Sequence, residues 1–177
     1  MGAPGAESPV ASDADLSWSA DSEAVREISG TLNRLVADLF TLHLKTKNFH
    51  WRVCGPQFRN FHLMFDEQAD EIFNAVDLLA SRVRKLGGST IRSLEHVLRL
   101  ARLRGNDADR ISAFEMLGEL RRDNRKLAES LRDSHLICTD YVDVASAGVL
   151  GTLIDEAEKR VWFLTESMRS TLIEQGR

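Results

Sequence analysis

Apolar residues recur along this chain at spacings of three and four, and nowhere do they alternate as a half-buried strand would. From Val25 the series runs through Ile28, Leu32, Leu35, Leu39, Leu42 and Phe49, which is one stripe of a long amphipathic helix. Ser22 is placed to cap it, with Glu23 in the first turn, where an acid meets the positive end of the helix dipole. The helix should end near Val53, because Gly55-Pro56 cannot continue it. Pro56 then pre-sets the first turn of a second helix. The second stripe is more regular, from Phe58, Phe61 and Phe65 through Ile72 and Leu79 to Leu86, and Gly87-Gly88 stops it. A span of roughly 30 residues makes this helix ~45 Å long.

Residues 89–105 hold a shorter helical pattern (Ile91, Leu94, Val97, Leu98) among many arginines, read as a crossover with a small surface helix and a solvated basic face. Ser112 and Glu115 form an S-x-x-E capping box. A third helix follows to about Ile137, and a fourth runs from near Asp143 through Leu150, Leu153, Val161 and Leu164 to Met168. Four long helices with one long connection, between the second and third, predict an all-α fold. It is a four-helix bundle of ferritin-like connectivity with a short helix in the crossover. The bundle domain is expected over residues 21–177.

Charge changes this picture only at the start of the chain. Residues 1–25 carry five acids and no Lys or Arg, and residues 1–20, rich in Ala, Gly, Ser, Pro and Asp, read as a disordered acidic tail. The remainder is balanced, 23 basic against 22 acidic side chains. No apolar run approaches the ~20 residues of a membrane span, and no basic segment leads into an apolar core as a signal peptide would. Cys54 and Cys138 lie far apart without a CxxC pair, as in a reduced, cytoplasmic chain. Cys54 is expected to be a small packed residue, His43 a core-edge residue, and His96 and His135 surface residues.

The second helix also carries chemistry. With His62 at zero on a wheel of ~100° per residue, Asp66 falls at ~40°, Asp77 at ~60° and Ser81 at ~100°, all on one flank of an apolar stripe centred near ~300°. His62 and Asp66 are i, i+4 and can grip one ion. Asp77 lies eleven residues further on, ~16 Å along the axis, whereas metal–ligand bonds are ~2 Å. One ion therefore cannot bind Asp66 and Asp77 of the same helix. If they serve one site, a second copy of the helix must run antiparallel across a two-fold axis near Glu71–Ile72. His50, at the end of the first helix, is folded back toward His62 by the Gly-Pro break.

The run NFHW, then GP, then FHLMFDEQADEIF, then D-x-x-x-S-R-V-R-K-L-G-G, with DEAEKRVWFL at 155–164, strongly resembles the Dps family of mini-ferritins (proteins of DNA protection during starvation). The resemblance covers about residues 22–170. It implies a homo-oligomeric shell of twelve subunits, built from two-fold dimers, that oxidises Fe(II), commonly with hydrogen peroxide, and stores ferric mineral inside. His50, His62 and Asp66 match metal ligands of one subunit, Asp77 a ligand supplied by its partner, and Trp51 a tryptophan beside that ferroxidase centre that can quench oxidising intermediates. Asp143 and Asp155 are candidates for cation-conducting pores on the same resemblance. One position departs: four residues after Asp77 the family has a glutamate, and this chain has Ser81. A hydroxyl in place of a carboxylate is expected to weaken one metal position and slow oxidation, so a shell with little ferroxidase activity is the competing expectation. A DNA-protecting role is the other alternative. Binding to phosphate needs clustered Lys and Arg, and the acidic tail argues against DNA binding through it.

Overall fold

The first two apolar stripes close into α1 (Ser22–Arg52) and α2 (Phe58–Lys85), an antiparallel hairpin. The computed structural model describes residues 22–175; the tail expected over 1–20 and the side chain of Ser22 lie outside the described residues. Beyond the hairpin come α3 (Leu94–Leu100), α4 (Ala113–Asp140) and α5 (Val144–Gln175). The helices α4 and α5 form a second hairpin, and α1 lies against both α2 and α4. Among the described residues every regular element is a helix. The core is the sum of the predicted stripes: Leu32, Leu35, Leu39, Phe65, Ile72, Leu79, Leu117, Leu120, Leu150 and Leu164 are all buried. Each such side chain contributes roughly 1.5–3 kcal/mol by leaving water.

The turns follow the expected chemistry with two shifts. Gly55 adopts φ +107°, Pro56 and Gln57 lie in the turn, and α2 begins only at Phe58, whose N–H donates to the Gly55 carbonyl at 3.0 Å. Pro56 thus shapes the turn instead of opening the helix. The chain swings outward there, so Cys54 is exposed and not packed as expected. At the other end of α2, Gly87 N–H donates to Arg84 O and Gly88 N–H to Val83 O, both at 3.0 Å, with Gly87 at φ +84°; this is a Schellman closure. The same pattern closes α4, three residues later than expected. Val142 N–H reaches Thr139 O at 2.9 Å and Asp143 N–H reaches Cys138 O at 2.8 Å. There the left-handed position is filled by Val142, at φ +58°. The Ser112–Glu115 capping box is present as expected.

Gly88 has a second role. A Cβ built on it would meet Ser29 Oγ at 2.2 Å and Ser29 Cβ at 2.9 Å, so α1 and the end of α2 approach as closely as a bare backbone allows. Gly88→Ala is expected to lower stability by about 1–3 kcal/mol, the usual range for an overpacked contact. The check is the shift in denaturation midpoint, with the helical content of the folded state unchanged.

The crossover is pinned along its length. Buried Asp38 accepts from Arg102 N–H at 2.6 Å and Leu103 N–H at 3.0 Å, and takes the Arg102 guanidinium at 2.6 Å. Asn33 donates to Ser89 O and Asn48 to Asn106 O. Most exposed arginines of this segment (Arg92, Arg99, Arg104) do face solvent. Three further expectations change. His96 and His135 are half-buried, not surface residues. Asp143 is buried and caps α5, accepting from Ser146 N–H at 3.1 Å and pairing with Arg82 at 2.7 Å, so it does not line a pore. Cys138 is buried beside it, and burial pushes its thiol up to about 11.

Candidate metal centre

His50 enters the site from the last turn of α1, and His62 and Asp66 from the second and third turns of α2. The tight Gly-Pro turn lays one helix end on the other, so the two imidazoles stack with centroids 3.8 Å apart and planes 21° apart. His50 Nδ1 is 2.8 Å from the main-chain carbonyl of His62, and His62 Nδ1 is 2.9 Å from that of His50. A carbonyl can only accept, so both Nδ1 atoms carry the proton. With Nδ1 as the donor, Nε2 is the nitrogen that each ring can turn to a metal, the tautomer a metal-ligating histidine needs. His50 is buried and His62 half-buried, which keeps both rings oriented.

Asp66 lies beside the imidazole pair. Its Oδ1 lies 3.7 Å from His50 Nε2, too far for a hydrogen bond. Two donors bound at ~2.1 Å to one ion at the tetrahedral angle sit about 3.4 Å apart, so a small closing movement would bring the pair to joint ligation. The same Oδ1 accepts from Lys47 Nζ at 2.5 Å. That hydrogen bond holds the Asp66 carboxyl below the usual carboxylate range; desolvation opposes it, and the charge of Lys47, with that of His50 and His62 whenever those rings are protonated, adds to it.

The other predicted residues lie elsewhere. Asp77 is on the same unbroken helix, eleven residues from Asp66, or ~16 Å along the axis. It is exposed and borders a cavity of about 650 Å³ with Val36, Phe73, Ile91 and Arg92. Ser81 follows one turn later, half-buried. Trp51, next to His50, is 64% exposed and lines a groove of about 900 Å³ with Leu44, Phe73, Leu94 and Leu98. The chain thus brings His50, His62 and Asp66 together and keeps Asp77 and Ser81 apart from them. Among the described residues no group of three or more His, Cys, Asp or Glu is arranged to hold an ion. Lys47 is the residue that sequence reasoning missed. Its position three residues before His50, on the same face of α1, was the available signal.

Residues 30–171 match the family model of the ferritin-like domain. A DNA protection during starvation protein of Brevibacillus brevis is 35% identical over 133 residues, 75% of this chain and 89% of that protein. The chain belongs to the Dps family. An uncharacterized low temperature-induced protein of Nostoc sp. is 37% identical over 145 residues, covering 81% of this chain and 80% of that one. The crystal structure of a Dps protein from Bacillus brevis superposes with a TM-score of 0.80 at 32% identity, over 84% of this chain and 99% of that one. Dps from Thermosynechococcus elongatus gives 0.80 at 27% identity, over 82% and 92%. The ferritin-like, all-α bundle expected from the stripes is therefore the fold of this Dps protein, and the family is one of iron storage and protection.

Proposed function

We propose that this protein takes up Fe(II) as substrate at a site shared across a two-fold interface, oxidises it, and stores the ferric product inside a dodecameric shell. One observation carries the reading: two stacked imidazoles whose Nδ1 protons are tied to each other's helix, leaving both Nε2 atoms free to ligate beside Asp66. Imidazole and carboxylate donors suit iron. Asp77 of the partner subunit would supply the donor that α2 of the same chain holds ~16 Å away. The exposed apolar side chains Leu44, Trp51, Phe73, Leu94 and Leu98 on α1, α2 and α3 support burial of this face against a second copy, since a contiguous apolar surface of this kind marks an interface.

Hydrogen peroxide is the oxidant in this reading. It takes one electron from each of two Fe(II) ions and two protons, its O–O bond breaks, and two waters form. This reading assigns Trp51, adjacent to His50, the quenching of oxidising intermediates. The competing reading, a shell with little catalysis, is favoured by Ser81, which offers no charge, and by the ammonium already on Asp66. No described helix is long and apolar enough to cross a membrane, and a cytoplasmic site of action is part of the proposal.

The test adds Fe(II) and peroxide to the assembled protein and fractionates by mass. Ferric absorbance should grow with consumption of one peroxide per two irons and elute with a particle of about twelve subunits. Iron left as free hydrolysed ferric oxide, with the protein eluting as a monomer, would sink the proposal.

A further inference from the structure

We propose that Phe58 is a positioning residue of the metal centre: its ring closes on the His62 imidazole and holds it in the orientation that ligation requires. The proposal rests on the reading of His50, His62 and Asp66 as a cation site. Phe58 is the first residue of α2, and His62 lies one turn further on. Side chains at i and i+4 stand one above the other, and a helical side chain leans toward the N-terminus of its own helix, so His62 leans onto Phe58. The two ring centroids are 5.1 Å apart, with planes 30° apart. His50 already fills one face of the same imidazole, at 3.8 Å and 21°. Phe58 cannot share that face, so it meets His62 from outside the histidine pair. His50, His62 and Phe58 thus form a row of three rings drawn from both sides of the turn.

The two imidazoles need this support unequally. His50 is buried, and the protein around it fixes its ring; His62 is only half-buried. One hydrogen bond, from His62 Nδ1 to the His50 carbonyl at 2.9 Å, sets which way its ring faces. A half-turn about the Cβ–Cγ bond would put a carbon at that carbonyl and swing Nε2 away. An aromatic ring against the imidazole opposes the rotation, because ring pairs with centroids ~4.5–7 Å apart keep preferred orientations. Phe58 is itself held by the turn: its N–H donates to the Gly55 carbonyl at 3.0 Å, with Gly55 at φ +107°. The Phe58 side chain is 46% exposed, so packing in the bundle core does not account for it.

The test reads the ring first without metal and then with it. Assembled, metal-free protein carrying isotope-labelled histidine is measured by solid-state nitrogen NMR at about pH 8, above the ordinary imidazole range. The His62 signals are identified by their loss in His62→Gln. The wild type should show His62 as the Nδ1–H tautomer alone, and Phe58→Ala a mixture of both tautomers. Zn(II), which brings no redox chemistry, is then titrated by calorimetry. Phe58→Ala should bind it about tenfold more weakly, as when a contact that orients a metal ligand is removed. Phe58→Tyr, which keeps the ring, should match the wild type in both measurements. Phe58→Leu, which keeps apolar bulk without the ring, should follow Phe58→Ala. A single tautomer with wild-type zinc affinity in Phe58→Ala, a Phe58→Leu protein indistinguishable from wild type, or a Phe58→Tyr protein as weak as Phe58→Ala would overturn the proposal. Zinc bound equally well by His62→Gln would instead overturn the reading of the site, which keeps the two failures apart.

Discussion

Shells assembled from a His62→Ala chain alone, or from an Asp77→Asn chain alone, should oxidise Fe(II) at least ten- to a hundredfold more slowly than wild type, a loss seen even when only a residue orienting a metal ligand is removed. Shells co-assembled from the two should regain activity. The reason is geometric. In a two-fold dimer of one chain of each kind, one site combines both defects, but the other combines an intact His50–His62–Asp66 cluster with an intact Asp77. Random pairing makes half of the dimers mixed, and one site in each is restored, so recovery approaches a quarter of wild-type activity. A site completed within one chain cannot be rescued by mixing. The measurement is the initial rate of ferric absorbance after co-refolding, with assembly verified by mass.

Ser81→Glu should raise iron affinity on the order of tenfold, about 1.4 kcal/mol, and increase the initial rate. Ser81 lies one turn beyond Asp77 on the same face of α2 and is half-buried, so a glutamate there can place a carboxylate beside Asp77, on the side from which the partner's imidazoles approach. Ser81→Gln is the control, matching the length without the charge, and should change little. Equal behaviour of the two variants would show that the site never needed the carboxylate.

The helices were legible because burial in a bundle imposes a three–four spacing that each long stripe displays, and because Gly55-Pro56, Gly87-Gly88 and Ser112–Glu115 punctuate it with residues whose backbone chemistry is local. His50, His62 and Asp66 were legible for the same reason: a tight turn between two helices leaves little freedom in what faces what. Other features depend on partners that come from distant elements. Asp143 reads equally well as a pore acid or a cap until Arg82, sixty-one residues away, is seen to pair with it. Cys54 reads as packed until the left-handed Gly55 turns the chain outward. Lys47 looks like one of many helix-surface lysines until its ammonium is found on Asp66 of the neighbouring helix. Helical periodicity shows which face a side chain occupies and not which charge on another helix it meets.

The two half-sites on α2 can serve one ion only if a partner runs antiparallel, and this is the claim on which the functional account stands. Anomalous diffraction at the iron edge, from crystals of the assembled protein grown with Fe(II) under anaerobic conditions, tests it most directly. The account predicts an iron peak within bonding distance of His50 Nε2, His62 Nε2 and Asp66 of one subunit and of Asp77 of the partner subunit. Iron bound within a single chain, or at the interface but away from both histidines, would contradict it.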